Sequence, residues 1–146
     1  MNKLRIVLDT NVLIAANRSR LGASFALLQY LRAQKFVLLV SVPLFLEYES
    51  VLKRSEQLAI GNRNEAMVDG FLNALTLRVE PVHLFYLWRP QLTDPADEMV
   101  LETALNGRAD ALVTYNVKDF VAASRFNLPV WTPQQLLLQL QENIYG

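Results

Sequence analysis

Apolar residues in this chain follow two rhythms, short unbroken runs and longer stretches at helical spacing, and the two alternate along its length. Ile6-Val7-Leu8, Phe36 to Val40 and Ala111 to Thr114 have no polar alternation, the pattern of strands covered on both faces. Leu77 to Val82 can form a strand after the second of these, and Val130-Trp131 a fifth near the end. The intervening stretches read as helices. Val12 to Asn17 is a short one, followed by a loop at Arg18 to Gly22. Ala23 to Ala33 carries Phe25, Leu27, Leu28 and Leu31 on one side. Ser41 caps a helix that begins near Pro43 and turns Phe45, Tyr48, Val51 and Leu52 inward. Gly61 to Asn64 is a loop. Glu65 to Thr76 is helical, with Met67, Val68, Phe71, Leu72 and Leu75 in register. Asp94 caps and Pro95 opens a helix that runs to Asn106 and stops at Gly107. Tyr115 to Asp119 turns into a short helix, and Thr132-Pro133 opens a last one through about Gln141. His83 to Pro90, with Leu84-Phe85-Tyr86-Leu87-Trp88, is either an added edge strand or a covering loop.

Alternating strands and helices with short connections imply an α/β fold, one domain over residues 1–146: a mostly parallel five-stranded sheet between two helical layers. The expected strand order is 3-2-1-4-5. Strand 1 is then central, and its carboxyl end opens on the crevice between strands 1 and 4, where open α/β sheets bind ligands. Asp9, Thr10 and Asn11 follow strand 1 and fall at that crevice.

Composition narrows the chemistry. The 146 residues suffice to bury a substantial core, and the chain has no cysteine, which excludes disulfides, thiolate metal sites and cysteine nucleophiles. The longest apolar stretch, Phe36 to Leu46, is short for a membrane span and is interrupted by Ser41 and Pro43. Lys3 and Arg5 before Ile6 mimic a signal peptide, but Asp9 and Asn11 break its apolar core; a cytoplasmic protein is expected. There is no glycine-rich phosphate loop and no serine elbow. Net charge is zero, yet residues 1–35 carry Lys3, Arg5, Arg18, Arg20, Arg32 and Lys35 against Asp9 alone, a local +5. Such a basic rim suits a phosphodiester substrate, although an uneven solvated surface gives the same asymmetry.

Four acids can meet at the crevice: Asp9 after strand 1, Glu47 in the helix after strand 2, Asp97 in the first turn of the helix before strand 4, and Asp119 beyond strand 4. Each has a plainer role open to it. Asp9 and Asp119 can cap helices, Asp97 can answer a helix dipole, and Glu47 can sit at the edge of an apolar stripe. Their shared placement at one end of the sheet favours a common purpose. Crowded carboxylates repel unless a cation sits among them, and oxygen donors without Cys or a nearby His favour magnesium or manganese. His83, beyond strand 3, is read as structural. Tyr86 and Trp88 can stack on bases or pack against the core or a partner.

With these residues laid out, the chain resembles the PIN-domain family. The likeness rests on Val7-Leu8-Asp9-Thr10-Asn11-Val12, on Glu47 followed by Val51-Leu52, on Asp94-Pro95-Ala96-Asp97-Glu98 with Leu101-Glu102-Thr103-Ala104, and on Leu112-Val113-Thr114-Tyr115-Asn116 with Asp119-Phe120. The resemblance implies a metal-dependent ribonuclease, many members being toxins of bacterial toxin–antitoxin pairs. It implies Asp9, Glu47, Asp97 and Asp119 as catalytic and metal-holding acids, with Asn11, Thr114, Asn116 and Glu102 in support. Many relatives carry Asp where this chain has Asn116, so either Asp119 supplies that carboxylate or the site holds three acids and one ion. The expected reaction is hydrolysis of an RNA phosphodiester by metal-activated water, leaving 5′-phosphate and 3′-hydroxyl ends. The expected partners are RNA, a cognate antitoxin and a second copy in a homodimer, with Leu84 to Trp88 part of one contact.

Two other classes compete. A phosphoaspartate hydrolase also places Asp after strand 1, but needs a second Asp where Asn11 stands and a paired lysine that is not evident. A PIN-like domain that binds RNA or protein without cutting is the other, and Asn116 speaks for it.

Overall fold

The computed structural model describes residues 3–86 and 90–145, and side chains through residue 142. Five strands form one sheet: β1 (Arg5–Leu8), β2 (Val37–Val40), β3 (Val79–Pro81), β4 (Ala111–Val113) and β5 (Val130–Trp131). Their order is β3-β2-β1-β4-β5 and every pairing is parallel. Parallel neighbours need crossovers, and these are α1 (Thr10–Arg18) with α2 (Ala23–Arg32), then α3 (Val42–Leu52), α4 (Ser55–Ile60) and α5 (Glu65–Thr76), then α6 (Pro95–Asn106). A 3₁₀ segment, Val117–Phe126, joins β4 to β5, and α7 (Pro133–Tyr145) closes the chain.

The middle of the sheet is dry. Ile6, Val7, Leu8, Leu38, Leu39, Ala111, Leu112 and Val113 are all fully buried, as strands covered on both faces must be. Ile6 pairs with Leu38 on one side and Ala111 on the other, and Leu8 with Val113, so β1 and β4 end level with each other. That register places Asp9 and Thr114 side by side at the carboxyl edge.

At the opposite edge, Arg5 ties three elements together. Its guanidinium donates to both carboxylate oxygens of Glu80, at 3.1 and 2.6 Å, and to the Gly107 carbonyl at 2.9 Å. Its backbone N–H donates to Asp110 at 2.7 Å.

Several expected boundaries move. α1 begins at Thr10, directly after Asp9, because the Asp9 side chain accepts from the Thr10 amide and starts the helix two residues sooner than its apolar residues suggest. β3 is confined to Val79–Pro81, and Leu77 before it is largely exposed. α4 is an element the apolar spacing does not reveal, since none of its residues is buried. Residues 82–86 form no strand. Their backbone is held by Asn106, whose side chain accepts from the Phe85 and Tyr86 amides and donates to the Tyr86 carbonyl, while Phe85 and Tyr86 stay exposed. Leu87 and Trp88 of that apolar run lie outside the described residues. Among the described residues no helix is long and apolar enough to cross a membrane.

Candidate active site

Asp9 sits where β1 gives way to α1, and it is held from three sides. Its backbone N–H donates to the Val113 carbonyl at 2.9 Å, extending the β1–β4 pairing. One carboxylate oxygen accepts from the Thr10 amide at 2.7 Å, and the other from the Thr114 hydroxyl at 2.8 Å. Thr114 is itself fixed: its Oγ1 accepts from Asn11 Nδ2 at 3.2 Å and from the Asn116 amide at 3.0 Å. Asn11 Oδ1 accepts from the Tyr115 amide at 3.3 Å. Of the four residues expected as supports, Asn11 and Thr114 lock the orientation of the Asp9 carboxylate, and Asn116 contributes through its backbone.

Tyr48 secures the same junction from the other side. Fully buried on α3, it donates its hydroxyl to the Leu8 carbonyl at 2.5 Å, and burial next to Asp9 holds that phenol well above its ordinary value. Ser41 starts the helix by accepting from the Leu44 amide, and shares a buried 2.7 Å hydrogen bond with Thr103 of α6.

The acids converge unequally. Burial raises the Asp9 carboxyl above the usual carboxylate range; its hydrogen bonds from Thr114 and Thr10 oppose this, and the charges of Asp119 and Asp94 add to it. Asp97, half-buried in the first turn of α6, is pushed up to about 6 by burial and then by Asp9, Asp94, Asp119 and Glu98. Asp9, Asp97 and Asp119 therefore share one electrostatic neighbourhood. Glu47 is half-buried one residue before Tyr48 and makes no hydrogen bond or ion pair among the described residues. It is not among the charges that act most on Asp9 or Asp97.

Two acids emerge that composition and spacing left in plain structural roles. Asp94 does cap α6, accepting from Ala96 at 2.9 Å, yet its charge also bears on both Asp9 and Asp97. The Asp94-Pro95-Ala96-Asp97 spacing, three residues apart on one helical face, is the signal that points to it. Glu98 is buried, and its Oε1 accepts from the Gln91 and Leu92 amides, both at 2.7 Å, fastening the segment before α6. Glu102 is fully buried one turn on and does not line the cleft described below. His83, expected to be structural, is exposed and stacks at a tilt on Phe85.

An open cleft of about 690 Å³ lies over this cluster, lined by Asp94, Asp97, Lys118 and Asp119 with the 90–93 segment. Its three carboxylates offer the oxygen donors that fit a hard divalent cation, with the Lys118 ammonium beside them. Among the described residues no three acids or histidines stand close enough to cage an ion as they are, so the cluster is convergent but loose.

The family model for the PIN domain matches residues 5–118, from the first strand through the turn after β4. The chain belongs to the PIN domain family. The match includes three of the four expected acids, Asp9, Glu47 and Asp97; Asp119 lies one residue beyond it. No curated protein matches by sequence. Several solved structures share this fold. VapBC2 from Rickettsia felis, bound to a DNA fragment from its promoter, superposes with a TM-score of 0.64 at 19% identity, covering 88% of this chain and 98% of that one. VapBC-1 from nontypeable Haemophilus influenzae gives 0.60 at 19% identity, covering 90% and 99%. FitAB bound to the IR36 DNA fragment gives 0.58 at 19% identity, covering 88% and 94%. The PIN architecture accounts for the strand order.

Proposed function

We propose that this PIN domain is a metal-dependent endoribonuclease and the toxin of a toxin–antitoxin pair. The observation that carries the reading is the meeting of Asp94, Asp97 and Asp119 along one open cleft beside Asp9, a crowding that, with burial, pushes the Asp97 carboxyl up to about 6. Asp9 and Asp97 would hold the ion, with Asp119 and Glu47 as further donors and Asp94 as an acid that the sequence reading left as a cap. Bound magnesium or manganese would supply the positive charge needed to activate water and to offset a phosphodiester's nonbridging oxygens.

The chain's own part is orientation. Each Asp9 oxygen already accepts one hydrogen bond, from Thr10 or Thr114, so its remaining lone pairs have fixed directions and no rotation of the carboxylate is needed on binding. Asn11 and the Asn116 amide keep Thr114 donating toward Asp9 and not elsewhere. Proteins of like fold form VapBC and FitAB complexes, which supports an antitoxin partner here; the expectation of a homodimer rests on the family resemblance, and that of a cytoplasmic location on the interrupted apolar run after Arg5.

The test is incubation of purified protein with RNA, with and without magnesium, beside Asp9→Asn. The expected outcome is cleavage that needs the ion and is lost in the variant, whose circular dichroism is unchanged. Undiminished magnesium-dependent cleavage by the variant would refute the assignment. Asn116 and the looseness of the cluster favour a second reading, a binding domain that does not cut. Calorimetry separates the two: a degenerate site takes up no magnesium at several millimolar.

A further inference from the structure

Tyr115 is the first residue past Thr114, and it is held at two points. Its amide donates to Asn11 Oδ1 at 3.3 Å, and its hydroxyl shares a 2.5 Å hydrogen bond with Ser24 Oγ in the first turn of α2. Ser24 is buried, yet Tyr115 is 46% exposed. A surface tyrosine ordinarily leaves its hydroxyl to water and its ring free to turn. Here backbone and hydroxyl are both fixed, so the ring keeps one direction while nearly half of the residue faces solvent. Ordering a side chain in this way costs rotamer entropy, which full burial would offset and partial burial offsets only in part.

The surroundings define what a fixed ring can do. Asn11 donates to Thr114 at 3.2 Å and Thr114 to Asp9 at 2.8 Å, so the frame that orients the acid also carries the ring. Tyr115 is not among the residues that line the acidic cleft, which leaves the carboxylates there free for an ion and a phosphate. Along that cleft Asp94, Asp97 and Asp119 stand against Lys118 alone, a balance that repels a nucleic-acid backbone wherever a bound ion does not offset it. A neutral aromatic face meets none of that repulsion and attracts any base by stacking. Because the ring is already ordered, little further freedom is lost when a base arrives.

We propose that Tyr115 is a stacking platform for a substrate nucleobase beside the scissile phosphate. The inference rests on the nuclease reading and adds to it the contact that holds the base; a base locked in a duplex stack cannot make that contact.

The test uses single-stranded RNA oligomers carrying 2-aminopurine at successive positions, a base whose emission is quenched when it stacks. Each is mixed rapidly with excess protein in magnesium, so that emission is read before cleavage and products after it. The parent is expected to quench one position. Tyr115→Leu is expected to leave that position bright, with KM raised about tenfold and kcat within about twofold. Tyr115→Phe and Ser24→Ala, which keep the ring but release its hydroxyl, are expected to fall between, and melting curves check that the variants fold. An abasic residue at the quenched position is expected to raise the parent's KM by the same factor, a comparison that needs no variant, and to change nothing further in Tyr115→Leu. Cleavage by the parent with no quench at any position overturns the proposal and leaves the nuclease reading standing, as does a quench and KM unchanged in Tyr115→Leu. A quench that Tyr115→Leu abolishes, without cleavage by the parent, supports the platform and overturns the nuclease reading. Neither quench nor cleavage overturns both.

Discussion

Asp97 shows how a single side chain reports the state of the cleft. Its carboxyl is held up to about 6 in the fold against 3.8 for an ordinary aspartate, so between about pH 4 and 6 the folded protein keeps a proton that the unfolded chain gives up. Stability therefore falls as pH rises through that window, and the loss persists above it; the raised carboxyl of Asp9 acts with the same sign. In metal-free protein, Asp97→Asn is expected to be more stable than the parent by about 1 kcal/mol near neutrality, a figure reduced for solvent screening of a half-buried group. Urea titrations repeated near pH 3.5 should find the difference gone. Asp9 and Asp97 were legible in the sequence because each stands at the junction of an apolar run and a turn, where a buried strand or helix must surface. Asp94 and Glu98 were not. A cap and a second first-turn acid already explain them locally, and only the fold shows that the charge of Asp94 bears on Asp9 or that Glu98 is turned in to hold two amides.

Elements were read well where periodicity and burial coincide. α6 starts and stops where Asp94-Pro95 and Gly107 say it must, and α5 matches its apolar register. α4 escaped because a short helix with no buried face leaves no apolar signal, and β3 was overextended because Leu77 is apolar yet exposed. Two glycines give opposite expectations. A Cβ on Gly107 would lie 2.9 Å from both the Thr103 carbonyl and Val82 Cγ2 and 3.1 Å from Leu39 Cδ1, where α6 meets the sheet. Gly107→Ala should cost about 1–3 kcal/mol. Gly70, inside α5, has nothing within 4 Å of a Cβ, so Gly70→Ala should stabilise by about 0.5–1 kcal/mol through helix propensity alone. Thermal melts of the two variants side by side would check both signs.

Across the whole molecule the two ends of the sheet are built differently. The Arg5 clamp gathers β1, β3 and the end of α6 with charge-assisted bonds, whereas the carboxyl edge carries acids that repel. A divalent ion binding only the folded state should therefore stabilise the protein, by about 2.7 kcal/mol at a hundredfold excess over its Kd. A magnesium-dependent rise in Tm that disappears in Asp9→Asn would show it, and an unchanged Tm in the parent would count against the metal site. The strand order was legible from the alternation of elements and the handedness of crossovers; a groove of about 350 Å³ between α1, α2 and α5 was not, because the arginines that line it, Arg20, Arg32, Arg63 and Arg78, are spread along the chain. α1 joins these two halves of the surface. Its first turn hangs on the Asp9 carboxylate, and Ala16 and Asn17, about 10 Å further along its axis, wall the groove. Removing the Asp9 carboxylate therefore strips α1 of its cap at the same stroke as it takes a negative charge from beside the acidic cleft.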